Sequence, residues 1–214
     1  MSFTLITSAD LPESGNLRRA IRDEVAARIA DPHVTRLIVD PGAGTNTDRH
    51  LAQVIAAVMV AERLDIEVAY VAPQPTAATA IYGLPHADQA RELAEHGAAV
   101  EVPLIRDDTA TVLVGTARHL GEGGAKLHGE SYVDNERLFT GEVRAIRIEP
   151  TRTLPGVRAR LDRPGLRRNR WYAGRAVQTG GTNLVVERDG VLAERVVKRS
   201  TFYRHHRDLR LVCR

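Results

Sequence analysis

The residues from Asp40 to Asn46, Asp-Pro-Gly-Ala-Gly-Thr-Asn, carry the chemistry most legible in this chain. They follow the apolar run Leu37-Ile38-Val39 and precede an apolar-striped segment from Leu51 to Leu64, an order that reads as strand, glycine loop, helix. Glycines let backbone N–H groups crowd an anion, and the first turn of a helix adds partial positive charge. Gly42, Gly44, Thr45 and Asn46 are therefore candidate holders of a phosphate, with a tight strand-to-helix connection as the alternative for the same residues. No lysine lies in or beside the loop, which separates it from the GxxxxGK[ST] phosphate loop. Asp40 offers a carboxylate to Mg²⁺ or a ribose hydroxyl, or an acceptor that stabilises the turn at Pro41.

Other groups invite weaker readings. Asp107, Asp108, Glu130 and Asp134 form an acidic set able to bind Mg²⁺ or to cap turns and helices. His205 and His206 adjoin, but no third ligand lies near them in sequence, so a polar strand or loop is favoured over a metal site. Arg158, Arg160, Arg163, Arg167, Arg168, Arg170 and Arg175 surround Trp171 and Tyr172, a pattern suited to peripheral membrane contact, a phosphorylated substrate, nucleic acid, or simply the outer face of strands. With nine aromatic residues in the chain, a row of stacking platforms is hard to assemble, which argues against single-stranded nucleic acid.

Residues 144–214 hold 18 of the 30 Lys+Arg and 6 of the 27 Asp+Glu, so this third carries about +12 while the remainder carries about −9. Such a split fits an anionic partner for the basic part or attraction between the two parts. The single cysteine, Cys213, excludes an intrachain disulfide framework and fits a reducing compartment. No apolar run of about 18 residues and no basic leader are present, so the expectation is a soluble, cytoplasmic protein.

The elements that must position these groups follow from periodicity. Phe3 to Ile6 reads as a strand. Leu17, Ile21, Val25 and Ile29 recur every four residues and predict a helix closed by Asp31-Pro32. Leu51, Val54, Ile55, Val58 and Met59 predict the helix after the glycine loop, with Asp48 as its N-cap. Ile66 to Val71 is a third strand, and Pro85 to His96 a further helix stopped by Gly97. Thereafter short strands dominate: Thr111 to Val114, Val143 to Ile148, Val157 to Leu161, Ala173 to Gln178, Leu184 to Glu187 and Leu209 to Val212. The fold class is a Rossmann-like parallel α/β domain over residues 1–100 and an antiparallel β-sandwich over 101–214, with the chain end free to return to the first domain.

Three stretches together give a resemblance. The loop Gly42-Ala-Gly-Thr45, the segment Pro73-Gln-Pro-Thr-Ala-Ala-Thr79 ending in Gly83-Leu84-Pro85, and the late Gly174-Arg-Ala-Val-Gln178 with Asp189-Gly190 resemble the diacylglycerol kinase catalytic family, which is grouped with sphingosine kinases and NAD kinases. In that family the loops read GGDGT, P-x-GTGND and DGE. The resemblance implies an N-terminal α/β domain and a C-terminal β-sandwich, ATP and Mg²⁺ bound in the cleft between them, and phosphoryl transfer to a lipid hydroxyl. It also implies that Gly42, Gly44 and Thr45 hold nucleotide phosphates, that Thr76 lines the cleft, that Asp189 binds metal or accepts a proton, and that homodimers form. The chain departs from the pattern at Pro41 and Ala43, at Ala77, Ala78 and Thr79 in place of Gly-Asn-Asp, and at Val191 in place of the glutamate. Phosphoryl transfer depends on placed charge, so losing these carboxylates costs several powers of ten in rate, whereas backbone donors survive. A non-catalytic nucleotide- or phospholipid-binding module is therefore the alternative.

Overall fold

Leu37, Ile38 and Val39 lie at the middle of a sheet, where a continuous apolar run covered on both faces belongs. The computed structural model describes residues 2–7, 17–44, 46–162 and 170–214. They divide into two units, Met1–Val102 with Arg207–Arg214, and Pro103–His206.

The first unit runs β1 (Ser2–Thr7), α1 (Leu17–Arg28), β2 (Val34–Asp40), α2 (Thr47–Val60), β3 (Glu67–Tyr70), α3 (Ala77–Tyr82), α4 (Asp88–His96) and β4 (Ala99–Val102). Its sheet has the order β1-β2-β3-β16-β4, where β16 (Leu209–Val212) is the last strand of the chain. β1, β2, β3 and β16 are parallel, and β4 closes the edge antiparallel. Thus Leu209–Val212, read as a strand of the second half whose chain end was free to return, pairs in the first sheet. Its Leu209, Leu211 and Val212 are buried there.

Helix periodicity is realised with local differences. In α2 the stripe Leu51, Val54, Ile55, Val58 and Met59 is buried, whereas in α1 Ile21 and Val25 are buried and Leu17 is exposed at the first turn. α4 begins at Asp88, not Pro85, because Ala87 takes φ 53°, outside the right-handed helical region. Gly97 ends α4 for a steric reason: a Cβ there would sit 2.6 Å from the Leu93 carbonyl oxygen. α3 was not visible in the periodicity, although its Thr76 and Thr79 form a reciprocal capping box and Gly83 closes it at φ 68°. Beneath the sheet Arg36, 1% exposed, donates to Glu67 and to the carbonyls of Ala94, Glu95 and Gly97, so one buried guanidinium satisfies the end of α4.

The second unit contains β5 (Ile105–Asp107), β6 (Val112–Leu113), β7 (Ala117–Gly121), β8 (Leu127–Val133), β9 (Glu136–Val143), β10 (Ala145–Pro150), β11 (Val157–Leu161), β12 (Tyr172–Gly174), β13 (Ala176–Arg188), β14 (Val191–Leu192) and β15 (Val197–Arg204). All pair antiparallel. β13 joins the layers: its first half pairs with β8 and β15, its second half with β7, and the register shifts between Gly180 and Leu184. The segments Ala173–Gln178 and Leu184–Glu187 read from sequence are therefore parts of β12 and this one long strand. Glycines permit the bend, since a Cβ on Gly129 would meet the Gly180 carbonyl oxygen at 2.0 Å. Both expected halves, parallel α/β and antiparallel β, are present.

Inside the second unit's apolar core sits a fully buried imidazole. His119 Nδ1 is 2.8 Å from Thr179 Oγ1 and Nε2 is 3.1 Å from Ser200 Oγ. Ser131 Oγ donates its only proton to the Gln178 carbonyl, so Thr179 must donate to Ser131 and accept from His119. That order places the imidazole proton on Nδ1 and leaves Nε2 to accept from Ser200.

Candidate functional site

Strands β2 and β3 pair in register up to Val39 and Tyr70, so the loops leaving their carboxyl ends start side by side. Ligands of open α/β sheets bind outside this edge. On the first loop Gly42 takes φ 66°, and its N–H donates to Asp40 Oδ1 at 3.0 Å; the other Asp40 oxygen pairs with Arg91 Nη2 at 2.5 Å. A Cβ on Gly44 would meet nothing within 4 Å, so the backbone there is open to approach. Thr45 lies outside the described residues. Asn46 is the N-cap of α2 but makes no side-chain capping bond, and the first amide of the helix to find a backbone carbonyl is that of His50. The leading amides of a fourteen-residue helix thus begin without a side-chain cap.

Asp48, expected to cap α2, does different work. Its Oδ2 accepts the Ala78 N–H at 3.0 Å, in the first turn of α3, and its Oδ1 accepts the Tyr70 hydroxyl at 3.1 Å. The carboxylate ties the two loops together because it sits one residue inside the helix, facing the neighbouring strand end. Burial and the adjacent Asp48 charge push the Tyr70 hydroxyl well above its ordinary range, and Thr47 and Thr76 hydroxyls lie beside it. Thr76 uses its own side chain to cap α3, accepting from Thr79 N at 3.1 Å. His50, in the first turn of α2, is 9% exposed and its Nε2 has no hydrogen-bond partner. Burial lowers its pKa, while the Asp40 carboxylate pulls it back up.

Gly42, Gly44, Asn46 and Thr76 all belong to the first unit, and Asp189 to the second. Asp189 has φ 46°, and its Oδ1 accepts the N–H groups of Gly115 and Thr116, each at 3.0 Å. Its carboxylate holds the turn between β13 and β14 against the approach to β7. Sequence reasoning did not single out Asp48, His50 or Arg91 as members of the site; the i+3 spacing of Thr47 and His50 was the available signal for His50.

The acidic set does not assemble a metal site. Asp107 is fully buried, accepts from Thr109 and Thr111, and is bound by Arg188 Nε at 2.6 Å and Nη2 at 2.5 Å. Asp134 accepts the Arg175 and Ala176 amides, and Glu130 accepts the Tyr132 hydroxyl. The Asp107 carboxylate is consumed by its turn and its ion pair with Arg188, which corrects the Mg²⁺ reading of that residue. The rings of His205 and His206 lie 4.1 Å apart, and among the described residues no group of three or more His, Cys, Asp or Glu is arranged to hold a metal ion. Nor is any helix among them long and apolar enough to cross a membrane.

A candidate diacylglycerol kinase from Bacillus anthracis str. Sterne superposes with TM-scores of 0.71 and 0.68 in two structures, at 8% identity, covering 94% of this chain and 84% of that one. An NAD kinase from Archaeoglobus fulgidus in complex with ATP gives 0.55 at 10% identity over 97% of this chain and 92% of the other. The fold is that of diacylglycerol kinases and NAD kinases. No family model and no curated protein matches the sequence itself.

Proposed function

We propose that the chain binds an ATP-like nucleotide through the loop between β2 and α2, in the manner its kinase-like fold suggests. The observation that carries this reading is the conjunction at one strand end of Gly42 in a left-handed conformation, an open backbone at Gly44, and a long helix starting without a side-chain cap. The buried, unpartnered Nε2 of His50 in the same helical turn adds a polar atom in want of a partner. Gly42, Gly44, Thr45 and Asn46 would receive phosphate oxygens, and Thr76 would border the ligand from the adjacent loop. The described residues supply no dedicated cage for a cation, so Mg²⁺ in this reading arrives on the nucleotide phosphates.

Transfer of the phosphoryl group to a lipid hydroxyl is the fuller form of the proposal, with Asp189 as metal ligand or proton acceptor. A binding module without turnover is favoured by one observation: Asp189 Oδ1 is occupied by two backbone amides. A nucleotide thermal-shift panel tests binding. Ligand at a hundred times its dissociation constant adds about 2.7 kcal/mol, or roughly 5 to 10 °C for a chain of this size. The gain should vanish in Gly42→Val, which strains the loop. Labelled ATP with a lipid extract then tests transfer: labelled lipid that disappears in Asp189→Asn supports the enzyme, and binding without label supports the module. A flat panel across ATP, ADP and NAD would remove the proposal.

A further inference from the structure

Antiparallel register in the second unit sets like charges opposite one another. Arg118 on β7 faces Arg147 on β10, and Arg147 faces Arg160 on β11. Trp171, just before β12, continues the row beyond Arg160, because Ala159 pairs with Tyr172. The intervening residues Ala117, His119, Ile146, Ile148 and Ala159 are buried, so the arginine row lies on the outward face. Like charges directly opposite in a sheet are destabilising, and a chain keeping three in line needs relief from outside the row.

That relief is incomplete. Asp162 and Glu187 serve Arg118, and Glu149 bridges Arg147 and Arg158. Among the described residues no carboxylate pairs with Arg160; its Nε is buried without a partner, and its guanidinium lies 4.6 Å from the Trp171 ring centroid, beside that of Arg158 at 4.4 Å. Arg170 covers Tyr172 in the same way at 4.9 Å. We propose that this outward face, the Arg118–Arg147–Arg160 row with Trp171, docks the protein on anionic phospholipid bilayers.

Three features select that occupant. The face carries Arg118, Arg147, Arg158 and Arg160 against the carboxylates of Glu149, Asp162 and Glu187, and Arg160, which none of these pairs, leaves it a positive charge that complements phosphate. Neighbouring strands lie about 4.8 Å apart, so the row presents closely spaced donors to a surface. The guanidinium groups of Arg158 and Arg160 already lie against Trp171, which disfavours stacking by nucleic-acid bases while leaving other donor edges for phosphate oxygens. The hairpin joining β10 to β11 adds Leu154, 65% exposed, at the border of the charged face. Tryptophan with flanking arginine is suited to the headgroup level of a membrane. This inference goes beyond nucleotide binding and stands whether or not the first unit takes ATP.

The test uses the whole chain, phosphatidylcholine vesicles with and without phosphatidylglycerol, co-sedimentation, and the fluorescence of Trp171, the sole tryptophan. Binding should require the anionic lipid and fall with salt. Arg147→Gln and Arg160→Gln should each weaken it roughly fivefold, and the double variant about twenty-five-fold. Asp162→Asn, which removes a counter-charge, should strengthen binding to the anionic vesicles alone, whereas misfolding that bares apolar surface would raise binding to neutral vesicles as well. Equal binding to neutral vesicles, an unaffected double variant, or a weaker Asp162→Asn would overturn the proposal. So would tighter, arginine-dependent binding of a single-stranded oligonucleotide, or complete displacement from vesicles by inorganic phosphate alone.

Discussion

Acidification should loosen the second unit through His119, and the sign and size follow from its surroundings. The imidazole is fully buried, and burial together with the nearby Arg188 charge lowers its pKa from 6.5 to about 3. The folded chain therefore binds fewer protons than the unfolded chain between these values. Stability from this group is whole above pH 6.5 and drains as pH falls toward about 3. Each pH unit across the window is worth about 1.36 kcal/mol, so the full loss approaches ~5 kcal/mol, of which about 2 kcal/mol is gone at pH 5. Against a typical total of about 5 to 15 kcal/mol this is decisive. Trp171 belongs to the same unit, so urea titrations at pH 7.5 and pH 5 followed by its fluorescence report the relevant unfolding. His119→Gln should be less stable than the parent at pH 7.5 and should lose about 2 kcal/mol less between the two conditions. An unchanged pH dependence in that variant would refute the argument, since it would place the titrating group elsewhere.

Other outcomes can be checked in the same preparations. Arg36→Ala strands the α4 carbonyls and removes one partner of Glu67, and should cost about 3 to 5 kcal/mol, with the faster hydrogen exchange concentrated in α4. Asp48→Asn should lower the Tyr70 hydroxyl pKa toward its ordinary value, visible in the ultraviolet titration, because the raising charge is gone. Gly129→Ala should destabilise the second unit by about 1 to 3 kcal/mol or more, since its new methyl meets backbone, whereas Gly44→Ala should leave the melting temperature nearly unchanged. Were Gly129→Ala silent, the close passage of β8 and β13 would be wrong.

The parallel half was legible because its signals are local: Leu37-Ile38-Val39 is a continuous run and the stripe of α2 repeats at helical spacing. Val157 to Leu161 was equally plain, with Arg158 and Arg160 alternating against buried Val157 and Ala159. Strands β7, β8 and β15 were not read, because His119, Ser131 and Ser200 look like surface residues until a buried hydroxyl network satisfies them. The glycine loop between β2 and α2 was read from residue type and spacing. Asp48 was misassigned because an acidic residue near a helix start reads as a cap, and only the neighbouring strand end reveals Tyr70 and Ala78 as its partners. Asp107 misled for a similar reason: its partner Arg188 is 81 residues away.

The position of β16 between β3 and β4 bears on how the chain can be made. Among the described residues β4 has only β16 as a sheet neighbour, so until residue 212 has emerged from the ribosome the first unit carries two unfinished edges while the entire second unit is already synthesised. Assembly that finishes the amino-terminal unit first is thereby closed to this protein. Chains cut shortly after residue 206 should expose those edges and precipitate, and any split-protein or fusion scheme must keep Leu209–Val212 with the opening hundred residues.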